Sequence, residues 1–182
     1  KMETVSGIPA EAATMVVVPT IFSNEEQVKH LLGRLEVHYI ANEDPNIYFA
    51  LLSDFPDADT EQATGDVLLL ESAGNGIEEL NLRYGNRNEA PRFYLFHRRR
   101  VWNESEARWM GWERKRGKLE EFNRLLRGAS DTSFIVRTAL DSLMAQIRYV
   151  ITLDSDTQLP RDVARKLIGA AQTNTAIAMI MV

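Results

Sequence analysis

Apolar positions along this chain alternate between short continuous runs and helical stripes. Thr14-Met15-Val16-Val17-Val18-Pro19 is an apolar run closed by proline, the pattern of a strand buried on both faces. Ser23 and Glu26 have the spacing of a capping box, and Val28, Leu31, Leu32, Leu35 and Tyr39 follow on one helical face. The stretch 42–45 ends that helix with Asn42 and Pro45. Ile47–Asp54 is a second buried run, tipped by an acid. Strand, helix, strand is the βαβ unit of an α/β protein. A helix is predicted over 61–84, with Ala63, Val67, Leu70, Ile77 and Leu80 among its apolar positions. Gly74-Asn75-Gly76 interrupts it at about 1 kcal/mol per glycine. The apolar phase carries across the gap, which predicts one weakened helix rather than two.

The second half continues the alternation. Residues 92–97 read as a third strand, and Leu119, Phe122, Leu125 and Leu126 as a short amphipathic helix stopped by Gly128. Leu140, Leu143, Met144 and Ile147 suggest another short helix. Tyr149-Val150-Ile151-Thr152-Leu153 is a buried strand, followed by Asp154-Ser155-Asp156 and Pro160. Asp162 then opens a helix striped by Ala164, Leu167, Ile168 and Ala171, and residues 176–182 form a last strand-like run. The expected fold is α/β, a mostly parallel sheet flanked by helices. Residues 1–13 are a polar lead-in and residues 14–182 a single domain. Because Lys1 comes first and the last run has no successor, the sequence reads as an incomplete domain from a longer protein.

Composition narrows the function classes. The 182 residues are 45% hydrophobic, enough for one substantial core. The net charge of −5 argues against a nucleic-acid binder. There is no cysteine, which excludes a disulfide scaffold. No apolar run is long enough to span a membrane and no signal-peptide pattern is present, so the piece itself is expected to be soluble.

Charge is unevenly placed. Residues 98–118 hold eight basic and three acidic residues, a local balance of +5, together with Trp102, Trp109 and Trp112. Such a segment suits a phosphate-bearing ligand with a ring, or else is a solvated loop with its tryptophans in the core. Arg114-Lys115-Arg116-Gly117-Lys118 opens a helix, a setting that favours phosphate. Asp154 and Asp156, at i and i+2 on an extended chain, point to one side and suit a hard divalent cation, Mg²⁺ or Mn²⁺. The alternative is that a strand-to-helix turn is a common home for Asp. Acids for a metal and bases for phosphate around a βαβ crevice suggest a nucleotide diphosphate. His30, His38 and His97 are scattered and form no metal set.

Val17-Val18-Pro19-Thr20, Leu52-Ser53-Asp54, Arg116-Gly117-Lys118 with Asn123, and Leu153-Asp154-Ser155-Asp156 occur in that order. In this the chain resembles the nucleotide-sugar half of processive inverting glycosyltransferases of the GT-A fold. It is more similar still, over residues 112–126 and 149–164, to the glycosyltransferase domain of cyclic β-1,2-glucan synthases. The resemblance spans about residues 14–172. It implies a Rossmann-like GT-A domain that binds UDP-glucose and extends a β-1,2-glucan acceptor. Asp54 would contact uracil or ribose, Thr20 would lie near the nucleotide, and Lys118 would contact the nucleotide or its phosphates. Asp154 and Asp156 would hold the metal on the diphosphate. Asn24 and Glu25 follow an Ile21-Phe22-Ser23 insert that departs from cellulose-type relatives, and no role is carried over to them. The family's general base is expected downstream of Val182, so no catalytic residue is assigned here. The resemblance also implies a larger membrane protein with this domain on the cytoplasmic face of the inner membrane. The final apolar run, if unpaired at a sheet edge, would favour a homodimer. Two other readings compete. One is a nucleotide-binding or assembly fragment without turnover. The other is a phosphatase of the haloacid dehalogenase kind, disfavoured by Gln158 where that motif requires Thr or Val.

Overall fold

The protein is described here from a computed structural model that covers residues 7–85, 89–172 and the backbone of 179–181. Its elements in chain order are β1 (Thr14–Ile21), α1 (Glu25–Ala41), β2 (Ile47–Asp54), α2 (Asp66–Tyr84), β3 (Phe93–Arg98), β4 (Val101–Asn103), β5 (Arg108–Met110), α3 (Arg114–Leu126), β6 (Phe134–Arg137), α4 (Asp141–Met144), β7 (Tyr149–Thr152), α5 (Val163–Ala171) and β8 (Met179–Met181). Six strands form one sheet in the order β6-β3-β2-β1-β7-β8. Every pairing is parallel except that of β3 with β6. Strands β1 to β3 step outward to one side, and the chain then returns to lay β7 on the other side of β1. The order therefore reverses between β1 and β7, where open α/β sheets bind ligands beyond their carboxyl ends.

Both sheet faces are covered, which is why the strands read as continuous apolar runs. Alternate residues of β1 serve opposite cores. Val16 and Val18 face α1, α2 and α5 through Val28, Leu35, Ile77 and Ile168. Met15 and Val17 face α3 and α4 through Phe122, Leu125 and Met144. All eight residues of β2 are buried. Burying a Val, Leu or Phe side chain contributes about 1.5–3 kcal/mol, so this strand anchors the fold.

Several local expectations are corrected. Pro19 does not end β1, which runs to Ile21. β7 pairs with β1 only as far as Val17, so the missing N–H of Pro19 lies beyond that ladder. The cap of α1 is Asn24, whose side chain accepts from Gln27 N at 2.8 Å, and not Ser23 with Glu26. Gln27 Oε1 in turn accepts from Ser23 N at 2.9 Å. α2 begins at Asp66 rather than at 61, because Arg100 ties Asp66 and the preceding loop to the end of β3. It does run unbroken through Gly74-Asn75-Gly76. Val67, assigned to its buried face, is exposed. α3 starts at Arg114, so the basic segment 114–118 opens the helix as expected and Leu119–Leu126 continue it. Leu140 is exposed and precedes the short α4.

The β4–β5 hairpin and β6 were not anticipated. β6 carries only the three-residue apolar run Phe134-Ile135-Val136, of which Phe134 alone is buried, too short to mark a strand by itself. Of the terminal run, Met179–Met181 pairs with β7 as β8, and residues 176–178 and 182 lie outside the described residues. The lead-in is not detached: Ile8 is buried and its N–H donates to Asp44 Oδ2 at 2.9 Å. No helix among the described residues is long and apolar enough to cross a membrane.

Candidate functional site

A cleft of about 340 Å³ opens beyond the carboxyl ends of β1 and β2. Thr20, Asp54, Asp57, Lys115, Lys118 and Ser155 are among its lining residues. Thr20 is the last but one residue of β1 and Asp54 the last of β2, in adjacent register, Thr20 opposite Ser53 and Ile21 opposite Asp54. Lys118 comes from the first turns of α3. Its ammonium donates to the Thr20 carbonyl at 2.6 Å and lies 3.1 Å from Asp54 Oδ2. Three residues far apart in sequence thus make one hydrogen-bonded floor.

Arg98, which sequence reasoning treated only as part of a basic run, organises this floor. It is fully buried and forks onto Asp54, Nε to Oδ1 at 2.8 Å and Nη2 to Oδ2 at 2.9 Å. Nη1 donates to Glu121 Oε2 at 2.7 Å, and Glu121 also accepts from Ser133 N at 2.9 Å and Ser133 Oγ at 2.7 Å. Two buried cations therefore face two buried carboxylates with nearly every group hydrogen-bonded, the condition under which buried charge is tolerated. Burial alone pulls the Arg98 guanidinium down, and the bonds to Asp54 and Glu121 more than offset it, so it stays charged. Burial lowers the Lys118 ammonium to about 8, opposed by its pairing with Asp54.

Arg98 also reaches the backbone above the floor. Nη1 donates to Trp112 O at 3.1 Å and Nη2 to Arg114 O at 3.0 Å. Between these carbonyls Glu113 and Arg114 both adopt positive φ, 49° each, an unfavourable conformation for non-glycine residues. Gly111 lets this turn approach the floor: a Cβ there would sit 2.6 Å from Asp54 Oδ2 and 2.9 Å from Arg98 Nη2. The basic segment is thus partly structural. Arg98, Arg100 and Lys118 are buried, while Arg114, Lys115 and Arg116 remain exposed. The tryptophans are not in the core, since Trp102 and Trp112 are exposed and Trp109 half-buried.

Asp154 stands on the opposite lip. The strand ends at Thr152, and residues 154–157 make a turn closed by Thr157 N onto Asp154 O at 2.9 Å. The extended geometry expected to align Asp154 with Asp156 is therefore replaced by a turn. Of this turn Ser155 lines the cleft, and Asp154 and Asp156 on either side of it are both exposed at its rim. Asp154 pairs with Lys115 across the mouth. Arg34 of α1 donates to Thr157 O at 2.8 Å and holds the turn in place. Asn42 secures the next segment: its Nδ2 donates to Leu159 O at 3.3 Å and its Oδ1 accepts from Ala164 N at 3.1 Å, capping α5. Asp162, at the cap position of α5, makes no side-chain cap bond.

Among the described residues no three His, Cys, Asp or Glu side chains converge as a metal set. Any divalent cation held here would have to bring most of its own ligands. Asp154 offers hard oxygens at an exposed position but is paired with Lys115, and Asp156 is two residues away in the same turn. His97 is buried at the end of β3. Its Nδ1 lies 2.8 Å from Ser53 Oγ, and its Nε2 has no partner among the described residues. Burial lowers it to about 4, so it is neutral near pH 7.

No known family profile matches the chain. It resembles a stretch of a cyclic β-(1,2)-glucan synthase. The chain is 50% identical over 167 residues to the cyclic β-(1,2)-glucan synthase NdvB of Rhizobium meliloti (strain 1021). Those residues are 92% of this chain and 6% of NdvB. The similarity supports kinship with the cyclic β-(1,2)-glucan synthases, and most of the sheet and cleft have a counterpart within NdvB.

Proposed function

We propose that this chain is the donor-binding part of a GT-A-type glycosyltransferase that takes glucose from UDP-glucose into a growing β-1,2-glucan. The observation that carries the reading is the gathering of Thr20, Asp54 and Lys118 on one floor, with Asp154 on the facing lip, at the reversal of strand order. The similarity to NdvB supports involvement in cyclic β-glucan synthesis.

In this reading the diphosphate lies between the α3 N-terminus and the 154–157 turn, and the nucleoside lies toward Asp54. Asp154 and Asp156 hold Mg²⁺ or Mn²⁺, which when bound offsets negative charge developing on the departing UDP. Lys118 supplies one further positive charge from below. Arg98 holds both oxygens of Asp54 and fixes its plane, so that the carboxylate is in place before the nucleoside arrives. The glucan acceptor would approach over the open side of the cleft.

Calorimetric titration tests this. UDP is expected to bind, to bind more tightly with Mn²⁺, and to lose about tenfold in affinity in Asp154→Ala, the scale of one charge-assisted contact. Asp54→Asn should weaken uridine itself. Absence of UDP binding, or binding indifferent to Mn²⁺ and to Asp154→Ala, overturns the reading. A second reading, a nucleotide-binding fragment without turnover, has its own support. Among the described residues the two carboxylates that line the cleft are each engaged by a cation, Asp54 by Arg98 and Lys118 and Asp57 by Arg114, and Asp154 at the rim pairs with Lys115.

A further inference from the structure

We propose that Lys115 is a placeholder cation, holding Asp154 until a divalent ion and a diphosphate arrive together and then transferring its charge to the diphosphate. The inference rests on the donor-site reading above and assigns within it a residue that sequence reasoning passed over in favour of Lys118.

Both ends of the Lys115–Asp154 pair are fixed. On one side, Lys115 follows directly on the Glu113–Arg114 turn, whose two positive φ angles are pinned by Arg98 through Trp112 O and Arg114 O. On the other, the Asp154 turn is closed by its own Thr157 N–H and tied to α1 by Arg34. Both side chains are about half exposed, 51% for Lys115 and 54% for Asp154, so neither is trapped and the pair can open. Exposed pairs of this kind hold weakly. Lys115 is one of the cleft's lining residues, and Asp154 directly precedes another, Ser155.

The chemistry follows from competition for one carboxylate. Lys115 and a divalent ion both require the oxygens of Asp154, so in the empty protein the ammonium opposes metal binding. When a diphosphate accompanies the metal, its oxygens complete the metal's shell and also offer the displaced ammonium a new anionic partner. Lys115 then favours the ternary complex that it opposed as a binary one. Its long flexible stem and three donors suit such a transfer between acceptors. The consequence is mutual dependence of metal and nucleotide, a coupling that must be equal in both directions.

The test is Mn²⁺ binding, followed by the paramagnetic resonance of the free ion, for the whole chain with and without UDP. Wild type should bind Mn²⁺ weakly alone and more tightly with UDP. Lys115→Met should raise Mn²⁺ affinity in the absence of UDP by about two- to fivefold, the size of one exposed charge interaction. It should also lower UDP affinity at saturating Mn²⁺, so that the coupling factor shrinks. Lys115→Arg keeps the charge and should behave like wild type in the absence of UDP. Unchanged or weaker Mn²⁺ binding by Lys115→Met alone overturns the placeholder role while leaving the donor site standing. If wild type and both variants bind no Mn²⁺ even with UDP, both this inference and the donor-site reading fall.

Discussion

Lys118 shows how far burial can change a residue's meaning. In the sequence it is one cation among several at a helix start, and in the fold it is 2% exposed between Thr20 O and Asp54. Burial sets its pKa to about 8, below the unfolded value of 10.5. The unfolded chain therefore holds more protons between about pH 8 and 10.5, and this group's contribution to stability rises with pH across that window. UDP binding should move the opposite way, weakening as pH rises through about 8 and Lys118 loses its charge. Titrations from pH 7 to 9.5 check this. Lys118→Met should bind UDP about tenfold more weakly at pH 7 and show a flatter profile. A profile that keeps its fall near pH 8 in the variant would assign the titration to another group.

At the scale of elements, α2 demonstrates that two nearby glycines can have different causes. A Cβ on Gly74 would meet nothing within 4 Å, whereas one on Gly76 would run into the Leu32 side chain of α1. Gly76 lets α1 and α2 approach closely, and Gly74 only loosens the helix. Gly74→Ala should therefore stabilise the protein by about 0.5–1 kcal/mol in urea denaturation, the propensity difference alone. Gly76→Ala should gain less or lose, because Leu32 must move. Equal gains from both would mean that the helix–helix contact is looser than described. The tie between β3 and α3 gives a larger effect. Arg98→Met would leave Glu121 buried without its cation and Asp54 with Lys118 alone, and should cost about 3–5 kcal/mol, the scale for breaking a buried pair. Adding Glu121→Gln to Arg98→Met should recover part of that loss, which a double-mutant cycle measures.

For the whole molecule the open question is turnover. Incubated with UDP-glucose, Mn²⁺ and a β-glucan acceptor, this chain is expected to bind donor without acceptor-dependent chain growth. Among the described residues the two carboxylates that line the cleft and Asp154 at the rim are engaged by cations, and general base catalysis alone contributes a factor of about 10² to 10⁴. Following UDP release and glucan length together separates hydrolysis from transfer. Transfer at about 1 s⁻¹ or faster would show that a base lies within these residues and would favour the enzyme reading over the binding fragment.

The sequence alone determined the layers: β1, β2, β3 and β7 as buried strands, α1 and α5 between them, and a mostly parallel sheet. Those follow from periodicity, because a strand covered on both faces is apolar at every position and a covered helix at every third or fourth. It also marked Asp54 and Asp154 at strand ends and the basic helix start that holds Lys118, while Thr20 and the role of Lys118 came from the resemblance to known motifs. Only the tertiary structure decided what those side chains touch. Arg98 and Glu121 complete the floor from β3 and α3 with no local signature, because a buried ion pair is a property of two distant segments. Asn42 caps a helix 122 residues on, and Arg34 holds a turn 123 residues away. Asp154 and Asp156 stand on an exposed turn because the chain turns at Asp154 instead of staying extended, and the hydrogen bond that closes that turn is not written in residue spacing.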